Sequence, residues 1–194
     1  MLVLPTYRAP ISDKGFSLIE LMVVVAIIGV VAAFASPSIA TWVGDTKTRS
    51  VTEALQNGVR LAQAEAVRRG VQVQFVLTDD SPTVAGVAPS GTGKNWVVQA
   101  LLLTPPNTVD TTNGFVQGGP LGAVSATSLV SGPNVITFNS LGRRVSPSSA
   151  TATYNFGNPA ITNGRHLDVQ VTIAGKIKMC DHDKTLSASN PDGC

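Results

Sequence analysis

Few side chains in this 194-residue sequence are suited to chemistry, and they are scattered along it. Its two histidines are His166 and His182, and the second stands in Asp181-His182-Asp183, residue types that can bind a metal ion. No second cluster of ligand residues accompanies this tripeptide, so a solvated polar loop is the favoured interpretation. We therefore expect neither a metal nor a cofactor.

A glycine-rich segment, Gly91-Thr92-Gly93-Lys94, is similar to the end of a phosphate-binding loop. However, Ala88 stands where that loop requires its first glycine, and Asn95 replaces the Ser or Thr that would bind magnesium. The segment is therefore predicted to be a turn. Because no serine or threonine lies in a nucleophile-elbow pattern either, we predict that the chain is not an enzyme.

Three glycines are followed directly by basic residues, in Gly142-Arg143-Arg144, Gly164-Arg165-His166 and Gly175-Lys176-Ile177-Lys178. Turns at these glycines would present the cations together, where they could bind phosphates. The formal net charge is only +2 and 13% of the residues are charged, so any such function must be local. Solvated hairpin turns that keep an exported domain soluble are the alternative interpretation.

Two cysteines, Cys180 and Cys194, lie close to the C-terminus. Outside the cytoplasm they can close a small loop, which would stabilise the folded chain by about 3 kcal/mol in the loop-closure view. In a reducing compartment both would stay free. Whether they form a disulfide therefore depends on export of this part of the chain.

An apolar run from Phe16 to Ala35 contains one carboxylate, Glu20. About 20 helical residues span roughly 30 Å, the thickness of the hydrocarbon region of a bilayer. Arg8 and Lys14 precede the run, so the positive-inside rule places the N-terminus in the cytoplasm and the rest of the chain outside. A carboxylate within such a run is unfavourable unless a partner offsets its desolvation.

The run is open to three interpretations. It can be a simple membrane anchor. It can also be a secretory signal peptide cleaved after Ala33-Phe34-Ala35 and before Ser36, which would need an unusually long preceding region and a carboxylate in its apolar part. The third interpretation depends on the residues around Glu20.

Residues 14–21 have the sequence KGFSLIEL, and the apolar run and then Pro37 follow them. This pattern resembles the recognition site of prepilin peptidase in type IV pilin-like proteins. The resemblance implies cleavage after Gly15 and methylation of the new N-terminal residue, Phe16. It also implies that Glu20 meets the N-terminal amine of a neighbouring subunit in a filament core, an ion pair that offsets burial of the carboxylate.

Past Pro37 an apolar stripe continues at spacings of three and four residues, which predicts an amphipathic helix ending near Gly70. The stripe consists of Ile39, Trp42, Val43, Val51, Leu55, Val59, Ala62 and Ala66, and polar residues including Gln56 and Gln63 take much of the remaining surface. Together with the apolar run it makes one helix of about 54 residues. Pro37 and Gly44 are the places where this helix can bend or melt.

The rest of the chain alternates short apolar segments with turns rich in Gly, Pro, Ser and Thr, as β-rich domains do. Strands are predicted at 71–75, 96–103, 135–139, 151–156, 167–173 and 176–180, with the last two forming a hairpin. Long surface loops are predicted at 78–93 and 104–119.

The order of these elements resembles the GspH/FimT group of minor pilins and pseudopilins. The resemblance is carried by ALQNGVRLAQAEAVRRG at 54–70, the strand led by Trp96, ITFNSLGRR at 136–144 and LDVQVTIAGKIKMC at 167–180. It implies an α+β, type IV pilin-like fold in which a long N-terminal helix packs on an antiparallel β-sheet. The implied divisions are a leader peptide at 1–15, a transmembrane and filament-core helix half at 16–36, an amphipathic half at 37–70 and a periplasmic β-rich head at 71–194.

The resemblance implies a structural subunit of a type IV pilus or of a type II secretion machine, held in the bacterial inner membrane. Its partners would be prepilin peptidase and other pilins or pseudopilins. In some FimT-like proteins a C-terminal Gly-Arg-x-Arg type motif contacts DNA during uptake, and Gly175-Lys176-Ile177-Lys178 falls at the corresponding place. DNA binding is therefore the alternative function, with Lys176, Lys178, Arg143 and Arg144 as candidate contacts, although lysine lacks the bidentate fork of arginine.

Overall fold

The fold is described by a computed structural model of the chain, covering residues 15–91, 93–121, 128–158 and 164–194. The side chains of residues 34–38 and 128–130 are not described. The predicted leader therefore lies outside these residues, apart from Gly15. Over the described ranges the chain forms one α-helix followed by nine β-strands.

Helix α1 extends from Leu18 to Arg69. It ends as predicted at Gly70, whose positive φ of 69° suits a glycine that closes a helix and whose N–H donates to the carbonyl of Ala66 at 3.0 Å. The backbone stays helical through Pro37 and Gly44, so neither residue melts α1.

The chain divides into two compact units, residues 1–39 and 40–194. In the first unit the apolar side chains of α1 are exposed, from Leu18 through Val31. Within the described residues, no helix is both long enough and apolar enough to cross a membrane. The membrane anchor over residues 16–36 stays a prediction.

The nine strands form two antiparallel sheets in the second unit. The five-stranded sheet, in the spatial order β3-β2-β1-β5-β6, consists of β1 (Val73–Thr78), β2 (Asn95–Ala100), β3 (Phe115–Pro120), β5 (Val135–Phe138) and β6 (Arg144–Ser146). The four-stranded sheet, in the order β4-β7-β8-β9, consists of β4 (Ser128–Ser131), β7 (Thr151–Gly157), β8 (Leu167–Thr172) and β9 (Ile177–Asp181).

One core joins α1 to both sheets. The C-terminal part of the predicted stripe is buried, and Val51, Leu55, Val59, Ala62 and Ala66 belong to the same cluster as Phe75, Trp96, Phe138, Tyr154 and Val169. Full burial of a Val, Leu or Phe side chain of this cluster contributes roughly 1.5–3 kcal/mol. Gly58 allows α1 to pack closely on β1, because a Cβ at this position would lie 2.7 Å from Cε2 of Phe75.

Several predictions about these elements were wrong. The strands form two sheets where one was expected, and β3 begins inside the segment that was predicted to be a loop, 104–119. Glycine is unfavourable in a strand, but a Cβ at Gly118 would lie 2.3 Å from the carbonyl oxygen of Pro82, so close packing there requires glycine. Trp42, in the first part of the predicted apolar stripe of α1, is 70% exposed. Gln56, which was assigned to the polar surface of the same helix, is buried.

Candidate functional site

The predicted cleavage site lies just before the first turn of α1. Phe16 is 87% exposed, and a Cβ at Gly15 would meet no atom within 4 Å. The peptide bond between these two residues therefore stands clear of the rest of the described structure. This is the accessibility that a processing enzyme requires, although it does not identify the enzyme.

Glu20 and Ser17 form a reciprocal cap at the start of α1. The N–H of Glu20 donates to Oγ of Ser17 at 3.2 Å, and the N–H of Ser17 donates to Oε2 of Glu20 at 3.4 Å. This is a capping box, and it satisfies two backbone donors that the first helical turn leaves without partners. Ser17 was not among the predicted site residues, although the pattern Ser-x-x-Glu before an apolar run predicts this arrangement.

The cap also explains how an apolar run accommodates a carboxylate. Glu20 lies in the first turn of α1, where the positive end of the helix dipole favours negative charge. The carboxylate is thereby held within one helical turn of the Gly15-Phe16 bond. The geometry is that of a single chain, so the predicted contact with a neighbouring amine is not part of it.

One side chain of α1, that of Gln63, forms hydrogen bonds to two of the predicted basic turns, an arrangement named here the Gln63 clamp. Nε2 of Gln63 donates to the carbonyls of Gly142 and Gly175, both at 2.8 Å. Both glycines have positive φ, 72° and 87°, and a Cβ at Gly175 would lie 2.2 Å from the carbonyl oxygen of Gly142. The two turns can therefore pack this closely only with glycine at position 175.

The Gln63 clamp places two exposed cations on adjacent turns. Arg143 and Lys176 each follow one of the clamped glycines directly, and both are exposed. Lys178, two residues further along the hairpin, is half-buried. Sequence reasoning placed Gln63 among the surface polar residues of the helix and did not anticipate its role, because nothing local indicates which carbonyls a glutamine will meet.

Arg144 does not belong to this exposed group. Only 2% of it is exposed, and its guanidinium donates to the carbonyls of Pro147 and Ser149. Burial lowers the pKa of Arg144, and the nearby Tyr154 is also buried, which raises the pKa of its phenol. The expectation that Arg144 is presented at a surface turn was wrong: Arg144 is the first residue of β6, where it pairs with Phe138 of β5 and its side chain is buried, whereas Arg143 lies in the turn before the strand and is exposed.

The C-terminal segment is tied to β9 by the predicted disulfide. Cys180 and Cys194 are bonded, and the N–H of Cys194 donates to the carbonyls of Asp181 at 3.2 Å and Lys184 at 2.9 Å. The closed loop holds Asp192 near the third predicted basic turn. Nη2 of Arg165 lies 3.2 Å from Asp192, and Nε of Arg165 lies 2.8 Å from the buried carboxylate of Asp181.

The two histidines, far apart in sequence, are neighbours in the structure. The ring centres of His166 and His182 are 6.4 Å apart. Nδ1 of His182 lies 3.1 Å from Oδ2 of Asp168, a hydrogen bond that raises the pKa of His182, and Nδ1 of His166 lies 3.0 Å from Asp183. Over the described residues, no group of three or more His, Cys, Asp or Glu side chains is arranged to hold a metal ion.

The amino-acid sequence of this chain matches a known protein family. The family described as type II transport protein GspH matches residues 51–175, which is more than half of the chain and includes most of the core. This chain belongs to the GspH family. The prokaryotic N-terminal methylation motif also matches residues 12–36, the segment that contains the capping box.

Individual relatives of this GspH-family chain are fimbrial proteins. It is 44% identical to the type IV major fimbrial protein FimA of Dichelobacter nodosus over 79 residues, 41% of this chain and 42% of FimA. It is 41% identical to a fimbrial protein of Pseudomonas aeruginosa over 63 residues, 32% of this chain and 40% of the relative. The chain thus spans less than half the length of these relatives.

A protein of known structure has a similar fold. The crystal structure of the type IV minor pilin FimU of Pseudomonas aeruginosa superposes with a TM-score of 0.50 and 15% identity, covering 72% of this chain and 95% of FimU. At this identity the likeness concerns the fold alone. It confirms the predicted α+β, type IV pilin-like architecture, and the family match confirms the resemblance on which that prediction rested.

Proposed function

We propose that this GspH-family chain is a minor structural subunit of a filament machine of the bacterial inner membrane. The observation that carries the proposal is the exposed Gly15-Phe16 bond placed directly before the Ser17–Glu20 cap, inside the N-terminal methylation motif. Prepilin peptidase cleaves after Gly15 and Phe16 becomes the methylated N-terminus. The chain then acts by assembly and not by catalysis.

Glu20 has the chemistry that assembly requires. Its contact with the N–H of Ser17 is long, 3.4 Å, so a charged amine can replace it with a stronger, charge-assisted hydrogen bond. Such an amine is created on a neighbouring subunit when its leader is removed. In the proposed sequence of events the apolar half of α1 is held in the membrane first, and then packs against the same half of other pilins or pseudopilins.

Two machines use subunits of this type, the type IV pilus and the type II secretion system. We favour the pilus for this chain. The C-terminal disulfide loop closed by Cys180 and Cys194 resembles those of pilins, and the relatives named above are fimbrial proteins. The GspH family is itself named for type II transport, so the family match does not separate the two machines.

The test is the mass of the N-terminal peptide of the chain isolated from membranes of cells that contain prepilin peptidase. We expect it to begin at methylated Phe16, and we expect Gly15→Val to accumulate uncleaved. A matched control is Gly29→Val, because a Cβ meets nothing within 4 Å at either glycine and so neither change disturbs packing within the chain. A mature chain that begins at Ser36 would instead identify an ordinary signal peptide and end the proposal.

The Gln63 clamp favours a second candidate function, DNA binding by the head. Arg143 and Lys176 are exposed beside clamped glycines, and Lys178 lies on the same hairpin, so the three cations can meet neighbouring phosphates. Arg144 has no part in this candidate because it is buried. Affinity would fall with salt, with a slope of about −0.9 in log K against log salt for each phosphate contacted.

The DNA candidate is tested with the full chain in detergent and a labelled duplex. We expect micromolar binding that weakens steeply with salt and is reduced in the double variant Lys176→Ala, Lys178→Ala. Lys47→Ala with Lys94→Ala is the matched control, since it removes the same charge from two other positions. Absence of any binding at low salt would exclude this function and leave the filament proposal intact.

A further inference from the structure

The only two histidines in the chain are 16 positions apart, and they flank the paired ends of two adjacent strands: His166 directly precedes β8 and His182 directly follows β9. In the ladder between β8 and β9, Leu167 pairs with Asp181, so the next pair outward is His166 and His182. The N–H of His182 donates to the carbonyl of His166 at 3.1 Å, which extends the pairing to these residues. Side chains of a directly opposed antiparallel pair lie on one face, with Cβ atoms about 5 Å apart.

Each imidazole is oriented by a carboxylate through the same ring atom. Nδ1 of His182 meets Asp168, which is only 4% exposed and also accepts a hydrogen bond from Nδ2 of Asn155 at 2.7 Å. Nδ1 of His166 meets Asp183, which is exposed. With Nδ1 occupied in both rings, Nε2 of each is the nitrogen that remains to bind another group.

The position of the His166 ring depends on a glycine. A Cβ at Gly157, the last residue of β7, would lie 2.3 Å from Cδ2 of His166 and 2.9 Å from its Nε2. Any other residue at 157 would therefore displace this ring. The arrangement of the two histidines is thus built by three strands, β7, β8 and β9.

We propose that His166 and His182 together bind a divalent transition-metal ion of the Zn²⁺ class. In a histidine that binds a metal, the N–H of the second ring nitrogen usually donates to a carboxylate or another acceptor, which fixes the tautomer and raises the basicity of the ligating nitrogen. Both histidines have this carboxylate, and one of the two carboxylates is buried and itself hydrogen-bonded. Imidazole nitrogen favours Zn²⁺ and its neighbours in the first row over Ca²⁺ and Mg²⁺, which take oxygen ligands.

The observed spacing is close to what such an ion needs. Zn–N bonds of about 2.0–2.1 Å at a tetrahedral angle bring two imidazole centres to roughly 5 Å, about 1 Å closer than the 6.4 Å between these rings. The difference can be closed by rotation of the His182 ring, which is 53% exposed, while His166 stays packed against Gly157. Two protein ligands leave the other positions to water in an isolated chain. The proposal concerns the head and is independent of the filament and DNA proposals.

The experiment is a titration of the purified, full-length chain in detergent with Zn²⁺ alone, followed by calorimetry and by the ¹⁵N resonances of the two imidazoles. The disulfide is confirmed by a thiol assay beforehand, so that free cysteines do not contribute ligands. We expect one ion per chain, a shift of both Nε2 resonances, and at least a 10-fold loss of affinity in both His166→Gln and His182→Gln.

Two further variants separate a built site from loose surface binding. Asp183→Asn keeps both ligands but removes an orienting carboxylate, and we expect it to weaken binding about 10- to 100-fold. Glu53→Gln removes an exposed carboxylate on α1 that pairs with Arg49, and we expect no change. The proposal is overturned if Zn²⁺ shows no saturable binding up to millimolar concentration, or if binding persists unchanged in His182→Gln.

Discussion

The Gln63 clamp offers a sharp test of how α1 positions the basic turns. Gln63→Ala removes two hydrogen bonds, each worth about 0.5–1.5 kcal/mol net, so the free energy of unfolding should fall by about 1–3 kcal/mol. Gln63→Glu is the more demanding variant, because it keeps the shape of the side chain but turns a carboxylate oxygen towards the carbonyls of Gly142 and Gly175. We expect it to destabilise the head at least as much as alanine does.

The measurement is denaturant unfolding of the full chain in detergent, monitored by the fluorescence of Trp96, which is buried in the same core. Arg60→Ala, an exposed change three residues before Gln63 on α1, is the control and should stay within about 0.5 kcal/mol of the parent. Equal stability of Gln63→Glu and the parent chain at neutral pH would show that the clamp does not form. The same result would remove the structural support for the DNA candidate.

The remaining predictions concern the helix ends and the C-terminal loop. Ser17→Ala removes the capping hydroxyl and should cost about 1 kcal/mol locally, seen as faster hydrogen exchange in the first turn of α1. The hydrogen bond from Arg68, and then that from Arg69, lower the pKa of Glu65 from its ordinary 4.5, so its stabilisation should be present above that pH and lost as the pH falls below it. A Glu65→Gln variant should lack this acid-dependent component, and a parent-like acid profile would contradict the assignment. Cys194→Ser should lower the free energy of unfolding by about 3 kcal/mol, measured by thermal unfolding. Because the variant loses only the disulfide, we expect its effect to be no larger than that of reducing the disulfide in the parent chain.

Much of the fold could be predicted because its signals are local and periodic. The apolar stripe of α1 from Val51 to Ala66 repeats at helical spacing and is buried, and Gly70 ends the helix. The predicted strands at 135–139, 151–156, 167–173 and 176–180 correspond to β5, β7, β8 and β9 within a residue or two. The errors lie where tertiary packing decided the outcome, as at β3, whose glycines are unfavourable in a strand, but where Gly118 allows close packing against Pro82.

The candidate sites also include residues that the sequence predicts and residues that only tertiary packing brings together. The motif around Gly15, Phe16 and Glu20 is contiguous, so it could be recognised without a fold, and Ser17 could have been added from the Ser-x-x-Glu spacing. Arg144 could not be separated from Arg143 in advance, since both follow the same glycine. In the structure β6 begins at Arg144, which pairs with Phe138 of β5 and is buried, while Arg143 stays in the turn before the strand.

The sequence by itself determined the family resemblance, the course of α1 and the positions of six of the nine strands in the described residues, because periodicity and short motifs are properties of neighbouring residues. The tertiary structure alone decided three things: that Gln63 joins the turns at Gly142 and Gly175, that Arg144 is buried, and that His166 faces His182. The physical reason is that each depends on contacts between residues far apart in the chain: the packing of α1 for Gln63, and the pairing of strands for the other two. One step of register moves a side chain to the opposite face of a sheet, and register depends on contacts between residues far apart in the chain.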